Sequence, residues 1–159
     1  MIETPVGPLT IVACDQGITA ISFGVISGTC GAPATHPLLS EAVHQLREYF
    51  AGALRSFNLP ILLEGTAFQK SVWEVLMDIP YGETISYGEQ ARRLGNPAAV
   101  RAVGLANGRN PVPIVVPCHR VIGANGMLTG YGGGLAIKEA LLALEGSLQS
   151  KAQLDLFKH

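Results

Sequence analysis

Apolar positions recur along the chain with two different periods, and the places where the period changes divide it into elements. Leu9 to Ala13 and Ile18 to Phe23 are short β-branched runs separated by Asp15-Gln16-Gly17, a pattern that predicts a hairpin. A stretch of small residues follows. Between His36 and Gly52, Leu39, Ala42, Val43, Leu46, Tyr49 and Phe50 take the spacing of one helical face, with Pro37 near the start and Gly52 as the stop. Such a helix should cover a sheet. Phe57 to Leu63 reads as one more strand, and the Glu64-Gly65 step as the boundary between two lobes.

Helical spacing dominates the second half. Thr66-x-x-Gln69 is a capping-box pattern, followed by Phe68, Val72, Val75, Leu76 and Ile79 on one face. Ser86-x-x-Glu89 repeats that signature before a short helix ending near Leu94. Gly95 then turns the chain into Asn96-Pro97, an N-cap with proline at the first helical position. Two short helices joined by a glycine turn predict a helix-turn-helix. In its second helix, Ala98, Ala99, Ala102 and Ala106 gather on one side and Val100 and Val103 on the other, with Arg101 near the border. The valines suit a core, and the alanine face would let a duplex approach closely while Arg101 projects past it. The expected architecture is α/β (α+β). Residues 1–64 form a sheet-plus-helix lobe, residues 65–148 a mostly helical lobe with the helix-turn-helix, and residues 149–159 a tail.

Composition narrows the class. With 48% hydrophobic and 14% charged residues in 159, the chain is globular rather than disordered, and 19 glycines with 10 prolines punctuate it heavily. No run approaches the roughly 20 apolar residues of a membrane span, and Met1-Ile2-Glu3-Thr4-Pro5 lacks the basic and apolar segments of a signal peptide. The expected location is the cytoplasm. Three cysteines, Cys14, Cys30 and Cys118, with no Cys-x-x-Cys pair, suit free thiols. The net charge of -1 argues against a basic nucleic-acid-binding domain, but it hides an asymmetry. From Gln90 to Lys138 there is no Asp or Glu, while Arg92, Arg93, Arg101, Arg109, Arg120 and Lys138 all fall inside. That window can attract a polyanion.

The chemistry concentrates in Asn110-Pro-Val-Pro-Ile-Val-Val-Pro-Cys118-His119-Arg120-Val-Ile-Gly123, read as an apolar strand that delivers a cysteine after Pro117. The thiolate is the nucleophilic form, and a neighbouring His or Arg lowers the cost of making it. A cysteine in an apolar stretch is, taken alone, more often an inert core residue. Glu145 sits in the last turn of a helix from about Leu135, where a carboxylate faces the negative end of the helix dipole at a cost of about 0.3 to 1 kcal/mol. Something should compensate, and His119 is the expected partner. That gives a Cys, His, Glu series in which the carboxylate orients the imidazole.

These segments together resemble the O(6)-alkylguanine-DNA alkyltransferases: Thr4-Pro-Val-Gly-Pro-Leu, Ile79-Pro-Tyr-Gly-Glu-Thr-Ile-Ser-Tyr87, Asn110 to Gly123 with its Pro-Cys-His-Arg, and Gly130-Tyr-Gly-Gly-Gly134. The resemblance implies an RNase H-like first lobe, a winged-helix-like second lobe and a single-turnover repair activity. An alkyl group from O(6)-alkylguanine, and from O(4)-alkylthymine, would pass from duplex DNA to Cys118 without a cofactor. In that reading His119 deprotonates Cys118 through a water, Glu145 holds His119, Asn110 buttresses the site, and Tyr87 donates a proton to the departing guanine. Arg101 fills the space left by the flipped nucleotide, on a DNA-binding face shared with Ala98, Ala102, Gly104 and Arg120. Tyr131 walls the substrate pocket with Gly132, Pro113 and Met127, and the Val121 backbone reads the exocyclic amine. Position 132 is glycine where some members have serine, so only its backbone N–H remains. Some members bind zinc in the first lobe, but Cys14, Cys30 and His36 are poorly spaced for it and no metal is expected.

Three other readings compete. A cysteine hydrolase would turn over without DNA, a helix-turn-helix regulator would read sequence, and an alkyltransferase-like sensor would lack the acceptor cysteine. The tail adds one partner: Gln153-Leu154-Asp155-Leu156-Phe157 resembles the motif by which bacterial repair proteins dock on the polymerase sliding clamp.

Overall fold

The computed structural model describes residues 1–24, 36–128 and 130–147. Its first lobe is a three-stranded antiparallel sheet, β1 (Ile2–Thr4), β2 (Gly7–Cys14) and β3 (Gly17–Phe23), in the order β1-β2-β3. The predicted hairpin is β2–β3, with Leu9 opposite Phe23 and Ile11 opposite Ile21. A bulge between Val12 and Ala13 lets Thr19 turn its hydroxyl onto the Val12 carbonyl. Strand β1 gave no sequence signal, because three residues are too few to show alternation. It forms because Thr4 closes a turn, its Oγ1 donating to the Gly7 carbonyl and accepting from the Val6 N–H.

Helix α1 (Pro37–Phe50) covers the sheet through Ala42, Leu46 and Tyr49, one buried stripe at i, i+4 and i+7. Its N-cap is His36, whose Nδ1 accepts from the Leu38 N–H while Nε2 meets Asp15 at 3.2 Å. This residue is thus occupied as a cap; Cys30 lies outside the described residues.

Residues 57–63 do not form the predicted strand. They touch β3 through a single parallel bridge, Ile18 to Ile61, in which the Ile18 N–H donates to Pro60 O and the Leu62 N–H donates to Ile18 O. Pro60 has no N–H, so the ladder cannot extend. The approach is close: a Cβ on Gly17 would stand 2.8 Å from the Pro60 carbonyl oxygen, which only glycine permits. Farther along the same edge, the Ile21 N–H donates to Pro111 O at 2.9 Å, so β3 of the first lobe holds the Asn110 loop of the second.

The second lobe begins with α2 (Ala67–Met77), and its Thr66/Gln69 capping box is complete. Trp73 is buried and donates from Nε1 to Ala106 O at 2.8 Å, fastening α2 to the far end of α4 (Val100–Gly108). Helix α3 (Tyr87–Arg93) is capped by Ser86, but Glu89 does not reach back to close a box; it pairs with Arg92 and Arg93 instead. Asn96 makes no side-chain cap, and Pro97–Ala99 form a 3-10 turn before α4. That turn shifts the helical register. Val103 is in the core as expected, while Val100 is 39% exposed and Ala106, expected on the open alanine face, is buried. Between α3 and α4 a buried amide pair exchanges two hydrogen bonds, Gln90 Nε2 to Asn107 Oδ1 at 2.9 Å and Asn107 Nδ2 to Gln90 Oε1 at 2.7 Å. With both amides satisfied, the pair fixes the helix-turn-helix angle. A parallel pair, β4 (Ile85–Ser86) with β5 (Val121–Ile122), and α5 (Leu135–Leu144) complete the lobe. Among the described residues no helix is long and apolar enough to cross a membrane.

Candidate active site

The segment 110–117 is not a strand either. Prolines at 111, 113 and 117 remove three backbone donors, so the chain folds into a loop that Asn110 ties together. The Asn110 side chain donates to Val116 O at 2.8 Å and accepts from the Val112 N–H at 3.0 Å. Ile114 is held at φ 75, strained backbone for a β-branched residue and about 1 to 3 kcal/mol uphill, and its full burial keeps it there. The loop delivers Cys118 at the start of a 3-10 turn, Cys118–Arg120, with the Cys118 N–H on Val116 O at 2.8 Å.

A turn of 3-10 helix sends successive side chains in different directions, and Cys118 and His119 part accordingly. Cys118 reaches the wall of a cavity of about 540 Å³, whose other walls include Tyr87, Arg101, Gly104, Tyr131 and Gly132. His119 points inward and is fully buried, with Nε2 2.8 Å from Glu145 Oε2. Arg120 is buried as well. Its Nε and Nη2 donate to the two Glu145 oxygens at 2.8 and 3.0 Å, and Nη1 donates to Ile79 O at 2.6 Å. Tyr49, from the first lobe, adds its hydroxyl to Oε2 at 2.6 Å. The carboxylate at the C-cap of α5 is therefore compensated by one imidazole, one guanidinium and one phenol.

These contacts set the protonation states. Burial pushes the Glu145 carboxyl up, but the hydrogen bonds from His119, Arg120 and Tyr49 outweigh it and hold the group at about 2. His119 is pushed below its ordinary value by burial, with Arg120 and Lys138 acting in the same direction and Glu145 against. A neutral imidazole beside a carboxylate donates its Nε2 proton to it, which leaves the lone pair on Nδ1. That atom is buried and has no hydrogen-bond partner among the described residues. Burial pushes the Cys118 thiol up, while the Asn110 amide and the Lys138 ammonium pull it down. The resting group is a thiol that needs a base, and a base sits in the next residue.

Both family comparisons converge on one group. Residues 1–63 match the ribonuclease-like domain of 6-O-methylguanine DNA methyltransferase, and residues 67–147 match its DNA binding domain. The chain belongs to this methyltransferase family. A methylated-DNA--protein-cysteine methyltransferase of Methanosarcina acetivorans is 53% identical over 91% of this chain and 96% of its own length. One from Mycobacterium bovis is 51% identical over 98% and 96%. Among solved structures, Mycobacterium tuberculosis OGT in complex with DNA superposes with a TM-score of 0.81 at 52% identity, covering 92% of this chain and 91% of that one.

In this family member the cavity gathers Cys118, Tyr87, Arg101, Gly104, Tyr131 and Gly132, all expected from sequence. Pro113 and Asn110 line a smaller adjoining cavity of about 220 Å³ with Phe23, and Cys118 and Tyr131 lie on both. The Phe23 ring packs edge-on against Tyr131 at 5.6 Å and leaves no room for a Cβ on Gly133, which would stand 2.8 Å from the ring. Ala98, Ala102 and Arg101 are exposed on the outer face of the helix-turn-helix. Two residues, Arg120 and Met127, are placed otherwise than expected. Arg120 leaves the DNA-binding face because Glu145 and Ile79 take its donors in the interior. Met127 is 62% exposed on a turn closed by Gly123 N to Met127 O, and it lines neither cavity. Val121 is buried in β5, where its carbonyl accepts from Lys138 Nζ at 2.7 Å.

Lys138 and Tyr49 were not recognised as site residues from sequence. Lys138 is fully buried on α5, its Nζ 5.8 Å from the Tyr87 ring centroid, and its charge favours the Cys118 thiolate. A signal existed: Lys138, Leu141, Leu142 and Glu145 fall at i, i+3, i+4 and i+7, so both charges share the buried face. Tyr49 ends the α1 stripe in the same way, and a buried phenol needs an acceptor.

The same states predict acid sensitivity in two steps. His119 has a depressed value in the folded protein, so its contribution is complete above the ordinary histidine value near 6.5 and erodes below it. Glu145, also depressed, contributes fully above the ordinary carboxylate value near 4.5 and loses that contribution as pH falls toward about 2. Urea midpoints measured from neutral pH downward should fall first below about 6.5 and again below about 4.5; a midpoint flat to pH 4 would mean His119 is not buried neutral.

Proposed function

We propose that this family member repairs duplex DNA by taking the alkyl group of O(6)-alkylguanine, and of O(4)-alkylthymine, onto Cys118 Sγ, once per molecule. The observation that carries the reading is the arrangement around one sulfur: Cys118 faces an open cavity, and His119 turns inward onto a carboxylate that fixes its tautomer. Asn110 holds the loop between them. A target carbon within a duplex is out of reach, so the base must be extruded at a cost of a few kcal/mol. Arg101 would enter the stack as the base leaves, a reading supported by its exposure beside Ala98 and Ala102 and its place on the cavity wall.

In the cavity, the Sγ proton passes through a water to His119 Nδ1, and the thiolate attacks the alkyl carbon in line with the C–O bond. The S–C bond forms, the C–O bond breaks and its electron pair goes to the guanine oxygen. Tyr87 gives a proton to the ring as that charge develops, and solvent returns the His119 proton to Tyr87. Guanine and a thioether are the products, and no second nucleophile stands ready to release the alkyl group. A duplex with one O(6)-methylguanine should therefore be restored to the extent of one lesion per protein molecule. Continued turnover would contradict the reading, and sequence-selective binding without restoration would favour a regulator or sensor.

Residues 148–159 lie outside the described residues. We propose on sequence alone that the protein is cytoplasmic and that Gln153-Leu154-Asp155-Leu156-Phe157 docks it on a polymerase sliding clamp. Deleting residues 150–159 should abolish clamp binding and leave alkyl transfer unchanged; unaltered clamp affinity would remove the idea.

A further inference from the structure

We propose that Tyr49 is a positioning residue for alkyl transfer, holding from the first lobe the Glu145 carboxylate that fixes His119. The inference rests on the transfer reading above and concerns the first lobe, which among the described residues also lends Ile21, Ser22 and Phe23 to the smaller cavity. Tyr49 belongs to a stripe with Ala42 and Leu46 whose packing a phenylalanine would satisfy equally. Its ring is locked among Phe50, Phe57 and Tyr81, with centroids 5.2, 5.3 and 6.3 Å away. What phenylalanine would lack is the hydroxyl, which crosses the lobe interface to Glu145 Oε2 at 2.6 Å.

Oε2 is the oxygen that matters for the base. It meets His119 Nε2 at 2.8 Å, Arg120 Nη2 at 3.0 Å and the Tyr49 hydroxyl, whereas among the described residues Oε1 takes Arg120 Nε alone, at 2.8 Å. The His119 and Arg120 bonds come from one 3-10 turn of the second lobe, whereas Tyr49 supplies its bond from α1 of the first. The groups facing this carboxylate are Tyr49 from α1, His119 and Arg120 from the 3-10 turn, and Tyr81, whose hydroxyl donates to Leu144 O at 3.3 Å. Lys138 on α5 acts on His119 by its charge. Tyr49 itself stays protonated through the working range, because burial and the Glu145 charge both push its ionisation up. It is a fixed neutral donor.

Removing one donor from Oε2 makes the carboxylate a stronger acceptor for the His119 proton and stabilises the imidazolium. Tyr49→Phe should therefore move the acid limb of the single-turnover transfer rate to higher pH, while the lost hold on the carboxylate, about one hydrogen bond, should lower the plateau roughly tenfold. 3-Fluorotyrosine at position 49, a stronger donor, should move the limb to lower pH. Leu46→Ala is the structural control: it opens a cavity in the same stripe, so it should lower Tm and leave the limb in place. Rates would be measured on duplex O(6)-methylguanine from mildly acid to mildly alkaline pH, beside thermal melting. Opposite displacements in the two Tyr49 variants support the assignment, and an unmoved limb in Tyr49→Phe overturns it whatever happens to Tm. Wild-type protein that transfers no alkyl group would instead overturn the repair reading itself.

Discussion

Cys118→Ala is expected to bind duplex DNA like the wild type and to accept no alkyl group at all. The thiol is the nucleophile the chemistry requires, and Asn110, His119 and Lys138 act through it. Cys14, the other cysteine among the described residues, lies on β2 in the first lobe and lines neither cavity. Replacing a sulfur that already borders a cavity should disturb packing little, so a stability loss of about 1 kcal/mol is the upper expectation. The proposed binding groups, Arg101 with Ala98 and Ala102, lie exposed on the helix-turn-helix, whereas Cys118 is buried. Electrophoretic or fluorescence titration with lesion-bearing duplex, run beside the transfer assay, separates the two properties. Residual transfer by the alanine variant would mean a different acceptor.

Glu145→Ala should cost more stability than any other single substitution in the site. It removes the acceptor of the Tyr49 hydroxyl, the His119 Nε2–H and two Arg120 donors together. The guanidinium would remain buried with Ile79 O as its hydrogen-bonded partner. Breaking a buried ion pair from one side typically costs about 3 to 5 kcal/mol. Transfer should slow as well, by roughly 10² to 10⁴, because His119 loses the group that fixes its tautomer and stabilises its protonated form. Glu145→Gln, which keeps an acceptor but not the charge, should fall between. Urea unfolding with single-turnover rates checks both halves. A variant within about 1 kcal/mol of wild type would show that Arg120 finds another partner and that Glu145 is not the keystone of the buried cluster.

Much of this arrangement was legible in the chain itself, for identifiable reasons. The hairpin, α1, α2 and the helix-turn-helix are written in periodicity and caps, which are local. The Cys118, His119, Glu145 series was legible because a carboxylate at a helix C-terminus advertises a missing partner. What escaped was set by tertiary geometry. Whether 57–63 could pair depended on how Pro60 met Ile18, and whether 110–117 could extend depended on three missing N–H groups and on Asn110 turning back on its own loop. Arg120 followed His119 in a charge-asymmetric window and so resembled a DNA contact, yet the 3-10 turn rotates it inward. The register of α4 was misjudged at Val100 and Ala106 because its first turn is 3-10 rather than α. Tyr49 lies 96 positions from Glu145, a separation no local pattern can bridge.

The central claim is best tested by the intact mass of the protein after incubation with duplex DNA carrying a single O(6)-methylguanine, followed by mapping of the modified peptide. One methyl increment, saturating at one per molecule and located on the peptide containing Cys118, is the predicted result. An unchanged mass despite lesion-bearing DNA being bound, or an increment on any other peptide, would contradict the account.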